Sequence, residues 1–95
     1  MQILFATEQL TALYMSGRAN GCIPATMTDA FFEVMAILVA ATEVRDVQAL
    51  ALVHAVPQCN DCLLLHVQAN RYLLTRISSD KNDPSIEIID VVEQP

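Results

Sequence analysis

The sequence predicts an α+β fold: a short N-terminal strand, then two antiparallel helices packed on an antiparallel sheet of three to four strands. Apolar residues recur with helical spacing in the first half of the chain, between residues 7 and 42. β-Branched and apolar runs of strand length fill the second half, after residue 61. Helical segments followed by strand segments are typical of α+β domains. With 95 residues, the chain is long enough for a single domain, residues 1–95, with its own hydrophobic core.

The element that organises the fold is a predicted helix over Pro24–Thr42. Glu33 is its only charged residue between positions 30 and 41, so the helix is expected to be buried on more than one face. The apolar run has about half of the ~20 residues needed to span a bilayer, which indicates a core helix and no membrane partner. The residues expected at the centre of the core are Phe31, Val34, Met35 and Leu38 from this helix, with Leu63, Leu65 and Leu74 from the sheet.

Shorter elements precede and follow this helix. Met1–Ala6 alternates loosely and is predicted to be a short strand. Thr7–Gly17 is predicted to be an amphipathic helix, because threonine is a good N-cap and glycine tolerates the left-handed geometry of a C-cap. The segment 43–53 fits either a further helical turn or a short strand. The remaining segments are predicted as a turn over Pro57–Asp61, a strand over Cys62–Gln68, a tight turn over Gln68–Asn70, a strand over Arg71–Ser78, a polar loop over Ser79–Pro84 and a strand over Ser85–Glu93.

Composition restricts the class of function. Eleven acidic residues against five basic ones give a formal net charge of −6, which repels phosphate and speaks against a general nucleic-acid binder. A basic partner or a neutral interface fits this charge better. Only 17% of the residues are charged, so an exposed apolar patch used for pairing is expected, and a homodimer stays open. The first apolar stretch is too short for a signal peptide, and the three cysteines then indicate free thiols in a reducing, cytoplasmic compartment.

Cys59 and Cys62 form a Cys-x-x-Cys motif that lies between two histidines, His54 and His66. Zinc accepts sulfur and nitrogen ligands at such spacings. However, four residues of strand would separate Cys62 from His66 by ~13 Å, which is too far for a single ion. A redox pair is favoured at a helix N-terminus, whereas this pair precedes a predicted strand. We therefore expect incidental thiols in a turn, with no bound metal or cofactor, while metal and redox roles stay open as alternatives.

Four stretches of the sequence carry a resemblance to a known family. They are LFATEQLTALYMSG at the start, IPATMTDAFFEVMAILVAATEVRDVQAL in the middle, and HVQANRYLLTRI followed by IEIIDVV near the end. In order and spacing they resemble the opening strand and helix, the second helix, and the last two hairpin strands of the RelE/ParE/HigB superfamily of bacterial type II toxins. The resemblance covers nearly the whole chain, and it implies the α+β toxin fold and a type II toxin–antitoxin context.

Ribosome-dependent members of that superfamily cleave mRNA with arginine and lysine on a strand face, often with a tyrosine or histidine near the C-terminus. By the resemblance, His66 stands where the first arginine is usual, which makes it a candidate acid or base. Arg76 falls where many members place another arginine and is a candidate phosphate anchor. Arg71, a third candidate, matches a family arginine only after a one-residue slip, and without that slip Tyr72 takes the position. Residues 91–95 contain no tyrosine or histidine, so the usual final catalytic group is absent.

Each candidate residue also has a purely structural interpretation. His66 and Arg76 fit solvated positions on the open side of a half-exposed antiparallel sheet. Arg71 fits a cross-strand ion pair with Asp90 or Glu87, which would contribute little energy at the surface. We favour these structural interpretations over a catalytic role.

Two functions follow from the resemblance, and the net charge together with the missing C-terminal group favours the first. The first is a toxin-like protein with weakened or lost catalysis that acts by binding a protein, either a cognate antitoxin or another partner. The alternative is an active ribosome-dependent mRNA endoribonuclease, an mRNA interferase whose partners are the ribosome and mRNA. The positions of the basic residues in space discriminate between them, because an RNA-cleaving face requires several cations close together.

Overall fold

A computed structural model describes residues 2–17, 23–50, 53–56, 59–78 and 83–93, apart from the side chains at positions 44 and 55. The elements in chain order are strand β1 (Gln2–Phe5), helix α1 (Glu8–Ser16), a single 3₁₀ turn (Ala25–Met27), helix α2 (Thr28–Ala40), helix α3 (Val44–Gln48), and strands β2 (Val53–Val56), β3 (Cys59–Gln68), β4 (Arg71–Ser78) and β5 (Ser85–Glu93). None of the helices in this part of the chain is long and apolar enough to cross a membrane.

The strands form one five-stranded sheet in the order β1-β5-β4-β3-β2. Strands β2 to β5 pair antiparallel with their neighbours, whereas β1 runs parallel to β5, with Gln2 opposite Ser85 and Phe5 opposite Ile88. The predicted α+β class is confirmed, and β2 to β5 form an antiparallel sheet of four strands; with β1 added in parallel, the sheet has one strand more than predicted and is mixed. A local residue pattern identifies a strand without fixing its neighbour or its direction, which depend on how the intervening chain returns to the sheet.

The ambiguous segment 43–53 contains the helical alternative, α3, and the edge strand β2 beside β3 begins only at its last residue, Val53. Asp46 closes the start of α3, because its Oδ2 accepts hydrogen bonds from the backbone N–H groups of Thr42 and Glu43 at 3.2 and 3.1 Å. Val47 is fully buried in the core. One apolar anchor and one capping carboxylate therefore hold this five-residue helix in place.

Helix α1 begins and ends where its sequence indicated. The hydroxyl oxygen of Thr7 accepts a hydrogen bond from the N–H of Leu10 at 3.2 Å. At the other end, Gly17 has a φ of 72° and donates its N–H to the carbonyl of Leu13 at 3.0 Å. Leu10 and Leu13 are both buried. The predicted amphipathic helix over Thr7–Gly17 is therefore confirmed.

Helix α2 supplies the centre of the core. Four of its side chains are at most 5% exposed: Phe31, Val34, Met35 and Leu38. This confirms the helical part of the predicted core. The helix is shorter than the predicted span Pro24–Thr42, because residues 25–27 form a 3₁₀ turn and the backbone becomes extended at Ala41.

The sheet completes the core with one apolar side chain from every second position. These are Leu63, Leu65, Leu73, Ile77, Ile86 and Ile88. The predicted core position of Leu74 is wrong, because Leu73 is fully buried and Leu74 lies half-buried on the opposite face. The β3–β4 register places Leu73 opposite Leu65, and Leu74 opposite Leu64. Adjacent leucines in a strand point to opposite faces, so a one-residue shift exchanges their roles.

Strand β3 begins at Cys59. The turn predicted over Pro57–Asp61 is therefore wrong for its last three residues, and its first two lie outside the described ones. The pairing of β3 with β2 changes register here, so residues 60–62 form a bulge relative to β2. The bulge contains an asparagine and an aspartate, residue types that favour turns, which explains the prediction. Most of the predicted loop over Ser79–Pro84 likewise lies outside the described residues.

Candidate functional site

The sheet has two faces, and the candidate site lies on the face away from the helices. On β3 and β4, the pairs Leu63–Thr75 and Leu65–Leu73 are buried against the helices. The pairs that alternate with them point the other way. We call this second surface the open face. Its side chains on β2 to β5 include His54, Cys62, Leu64, His66, Tyr72, Leu74, Arg76, Glu87 and Asp90.

Three aromatic rings meet on the open face. The ring centroid of Tyr72 lies 5.1 Å from that of His66 and 5.7 Å from that of His54. Strands β2, β3 and β4 each supply one of these rings, so the arrangement depends on the register of the sheet. The rings of His54 and Tyr72 make an angle of 82°, which is the edge-to-face arrangement that aromatic pairs prefer. We call these three residues the His–Tyr–His cluster.

His66 is held by the turn that follows β3. Its Nε2 lies 2.8 Å from the carbonyl oxygen of Ala69, and because a carbonyl only accepts, Nε2 donates the proton. Nδ1 is then the basic position of the neutral ring. Ala69 has a φ of 50°, a left-handed conformation that is unfavourable for a residue with a Cβ. The hydrogen bond from His66 therefore supports a strained turn and orients the imidazole at the same time.

Arg76 shares the open face with His66, but the two residues are not adjacent. Arg76 is exposed and lies opposite Cys62 on β3 and Glu87 on β5. His66 is opposite Tyr72, four residues from Arg76 along β4, which corresponds to about 13 Å. At this separation the two side chains are too far apart to contact the same phosphate group of a nucleic acid.

Arg71 lies on the other side of the sheet. It is the first residue of β4, and alternation along that strand puts it on the helix side. Its Nη2 lies 3.0 Å from Oε1 of Glu93, which stands directly opposite it on β5. The ion pair predicted with Asp90 or Glu87 is therefore formed with Glu93 instead. The one-residue slip that aligns Arg71 with a family arginine turns its side chain away from the open face.

Few cations lie on the open face. Among the described residues, Arg76 is the one arginine or lysine there, since Arg45 belongs to α3 and Arg71 to the other side of the sheet. Arg18 and Lys81 lie outside the described residues. Strand β5 adds two carboxylates to the same face, so the described charge there is acidic when the histidines are neutral. Such a surface does not attract a polyanion.

Cys59 and Cys62 are joined by a disulfide, with their Cα atoms 5.3 Å apart. The expectation of free thiols is therefore wrong for this pair, and so is its placement in a turn, since both residues belong to β3. The bulge accounts for the contact, because an unbroken strand would hold residues three apart at about 10 Å. Among the described residues, no three potential metal ligands come together.

The His–Tyr–His cluster was not predicted from the sequence. His54 lies on β2, most of which falls between the ambiguous segment 43–53 and the turn predicted from Pro57, so no element and no face were predicted for it. The position of Tyr72 on the same face as Arg76 could have been predicted, because the two residues lie four apart on one strand and residues at even separations share a face. Its contact with His66, however, depends on the β3–β4 register.

Comparison with known proteins gives a likeness in structure and none in sequence. No family model matches the chain, and no curated protein sequence matches it. Among solved structures, the chain is similar to the YoeB/ParE toxin from Agrobacterium tumefaciens, with a TM-score of 0.56, 10% sequence identity and coverage of 100% of both chains. At this identity the likeness bears on the fold alone. Over its full length, the chain therefore has the α+β fold seen in a YoeB/ParE toxin.

Proposed function

We propose that this chain is a toxin-fold protein of a type II toxin–antitoxin system that acts by binding a protein, with its mRNA-cleaving chemistry weakened or lost. The observation that carries the proposal is the charge of the open face. Among the described residues that face holds one arginine, Arg76, with two carboxylates on β5. The likeness to a YoeB/ParE toxin supports the toxin–antitoxin context through the fold. The cytoplasm is the proposed place of action.

The distribution of charge favours protein binding over RNA cleavage as the main function. An RNA-cleaving face needs cations that hold phosphates and others that stabilise the charge developing at the scissile one. Arg71 is paired with Glu93 on the helix side. An imidazole lacks the planar, two-pronged set of N–H donors with which a guanidinium holds a phosphate, so His66 does not replace an arginine as an anchor. The net charge of −6 adds repulsion at long range.

The helices offer a surface for a protein partner. Three large apolar side chains are exposed on them: Met15 at 78%, Ile37 at 40% and Val39 at 55%. The charged residues that the structure describes on the helices and their flanks are mostly acidic: Glu8, Asp29, Glu33, Glu43 and Asp46 against Arg45. Ile37 and Val39 are two residues apart on α2 and point to different flanks, so we take the flank of Ile37, with Glu33 one turn before it, as the binding surface; it fits a partner segment whose apolar face is flanked by lysines and arginines. A cognate antitoxin with such a segment is the partner we propose.

Expression in a bacterial host tests the proposal. We expect weak or no growth arrest, little ribosome-dependent mRNA cleavage, and a stable complex with the protein encoded by the neighbouring reading frame. Robust growth arrest that disappears in both His66→Ala and Arg76→Ala would contradict it and make those two residues the catalytic pair.

Substitution of the apolar surface tests the binding part separately. Ile37→Glu should weaken the complex by about 10-fold or more, because it places a charge where an apolar contact is expected. The matched control is Ser78→Glu, which adds the same charge at an exposed position of β4 and should leave the Kd unchanged. Equal Kd values for the two variants would show that the exposed apolar side chain of Ile37 is not part of the binding surface. Thermal melting of each free protein excludes unfolding as the cause.

The His–Tyr–His cluster supports a second candidate function, an active ribosome-dependent mRNA endoribonuclease. Nδ1 of His66 is positioned to act as a base toward a 2′-hydroxyl, and the phenol of Tyr72 is a proton donor beside it. These groups would supply acid–base chemistry on the open face, while Arg76 would hold a neighbouring phosphate.

Two substitutions discriminate between the candidates. Tyr72→Phe keeps the ring and removes the proton donor, so an active enzyme should lose about 100-fold in cleavage rate. His66→Arg introduces the arginine that the resemblance places at this position. Cleavage gained by that change alone supports a toxin scaffold that has lost its chemistry. Wild-type cleavage that falls in Tyr72→Phe supports the endoribonuclease.

A further inference from the structure

We propose that the Cys59–Cys62 disulfide is a thiol–disulfide exchange site that a dithiol reductant opens by attack on Cys59, with Cys62 as the leaving sulfur. The inference does not rest on the proposed function, since it concerns covalent chemistry at one end of the sheet. Three features of the fold favour this chemistry: the position of the disulfide at a bulge, the unequal burial of Cys59 and Cys62, and the arginine opposite Cys62.

The disulfide closes the bulge in β3, from Cys59 just before it to Cys62 at its end. Ala55 on β2 is opposite Leu63, whereas the next residue, Val56, is opposite Cys59. Residues 60–62, between those partners, are displaced from the β2 register, and the disulfide joins the last of them, Cys62, to Cys59. A disulfide that closes so short a loop constrains the unfolded chain much less than one that closes a long loop. Its main effect is therefore local, on the shape of the bulge and on the edge strand beside it.

The two cysteines are unequally accessible. Cys62 is only 7% exposed, whereas Cys59 is half-buried and is followed by two exposed residues, Asn60 and Asp61. An incoming thiolate must reach a sulfur from outside. Cys59 is therefore the sulfur that is attacked, and Cys62 is the one that leaves.

Arg76 favours this direction of attack. It lies directly opposite Cys62 in the β3–β4 register, and side chains of directly opposite residues lie next to each other. A guanidinium stabilises a nearby thiolate, and a better leaving thiolate speeds exchange. The face therefore places its one described arginine beside the sulfur that must carry negative charge. Glu87, on the other side of Arg76, is the acidic group that competes for the same cation.

The exchange balances without any further reactant. In the first step a thiolate of the dithiol bonds to Sγ of Cys59, the Cys59–Cys62 bond breaks, and Sγ of Cys62 leaves as a thiolate. In the second step the second thiolate of the reductant attacks the reductant sulfur that is bonded to Cys59. The reductant closes into a disulfide, and Sγ of Cys59 leaves as a thiolate. Two electrons pass to the protein, the reductant becomes a disulfide, and the protons of its two thiols are taken up by the two cysteines or by solvent. Disulfides in reducing compartments are commonly of this transient kind.

Adduct mapping tests the direction of attack. The full chain carrying Cys22→Ser, which leaves the pair as its remaining two of three cysteines, is oxidised with glutathione disulfide and then exposed briefly to reduced glutathione. Iodoacetamide traps the free thiols, and peptide mass spectrometry locates the adduct. We expect glutathione on Cys59 and the alkyl group on Cys62. The reverse pattern, equal adducts on both, or a pair that is alkylated without any reductant would overturn the proposal.

Reduction kinetics with dithiothreitol test the role of Arg76. Arg76→Gln should slow reduction by about threefold or more, because the leaving thiolate loses its cation. Arg45→Gln is the matched control: it removes the same charge from α3, where Arg45 pairs with Glu43, and should leave the rate unchanged. Equal rates for the two variants would remove Arg76 from the site. If Arg76→Gln does not fold, adduct mapping on the chain with Arg76 intact still decides the proposal.

Discussion

The hydroxyl of Thr75 donates a hydrogen bond to the backbone carbonyl of Leu63, with 3.0 Å between the two oxygens. Both residues face the helices, and Thr75 is fully buried. A buried hydroxyl is unfavourable unless it is paired. This contact therefore lets a polar residue occupy the centre of β4 without weakening the core.

Thr75→Val removes the hydroxyl and preserves the shape of the side chain. We expect the free energy of unfolding to fall by about 1 kcal/mol, the net contribution of one buried hydrogen bond, and the melting temperature to fall by about 4–8 °C. Thr11→Val is the control, because Thr11 donates a similar bond to the carbonyl of Thr7 at an exposed position. A melting temperature unchanged by Thr75→Val would show that the hydrogen bond contributes nothing.

Leu38→Ala tests the core centre. Leu38 is fully buried on α2, so the substitution should lower the free energy of unfolding by about 2–5 kcal/mol through lost burial and a residual cavity. Val39→Ala, at a neighbouring position that is 55% exposed, should change it by less than about 0.5 kcal/mol. Denaturant unfolding of both variants gives the comparison. Equal effects would mean that α2 faces the sheet with a different side.

Ala69→Gly should stabilise the protein. The φ of 50° at Ala69 costs a residue with a Cβ about 1–2 kcal/mol, and glycine removes this cost. Glycine also raises the conformational entropy of the unfolded chain, which lowers the free energy of unfolding by about 0.4–1 kcal/mol. We expect a net gain of up to about 1 kcal/mol in thermal or denaturant unfolding. Ala12→Gly, an exposed interior position of α1, should instead cost about 1 kcal/mol. A loss of stability at both positions would contradict the left-handed turn.

Asp46 should make the start of α3 sensitive to acid. Hydrogen bonds from the Thr42 hydroxyl and from the backbone N–H groups of Glu43 and Thr42 lower the pKa of its carboxyl from 3.8. Because the folded pKa is below the unfolded one, the stabilisation is fully present above pH 3.8 and is lost as the pH falls through the folded pKa. Amide-exchange protection of Thr42 and Glu43 should therefore fall below pH 3.8. In Asp46→Ala protection should be low at every pH, and a pH-dependent loss retained there would assign the effect to another group.

Local chemistry was sufficient to predict α1 and α2, though not α3. Thr7 and Gly17 define α1 because capping needs only residues within one turn. The buried side of α2 follows from a run in which Glu33 is the single charge. In both cases the deciding interactions lie within the element or depend on one apolar stripe, so the residue pattern contains them.

Register is the information that local patterns lack. The exchange of Leu73 and Leu74 in the core, and the pairing of Arg71 with Glu93, each follow from which residue of a strand stands opposite which. The bulge at Cys62 depends on a shift against β2, a strand too short to be recognised from its own four residues. The open face depends on such pairings. Some of its residues could therefore be predicted from the sequence, whereas the contacts between them could not.

The parallel pairing of β1 with β5 has a consequence for the order of folding during synthesis. The hairpins β2–β3 and β3–β4 join neighbours in sequence, whereas β1 waits until residues 85–88 have been made. At roughly 5–20 residues per second, that delay is on the order of 4–20 s. During this delay the backbone of β1 has no partner strand. The apolar side chains of Ile3 and Phe5, which pack against the core of the folded protein, also lack that packing. A nascent chain of this protein therefore exposes an unpaired, aggregation-prone segment for most of its synthesis, and a chaperone that binds short extended apolar segments would find its target at β1.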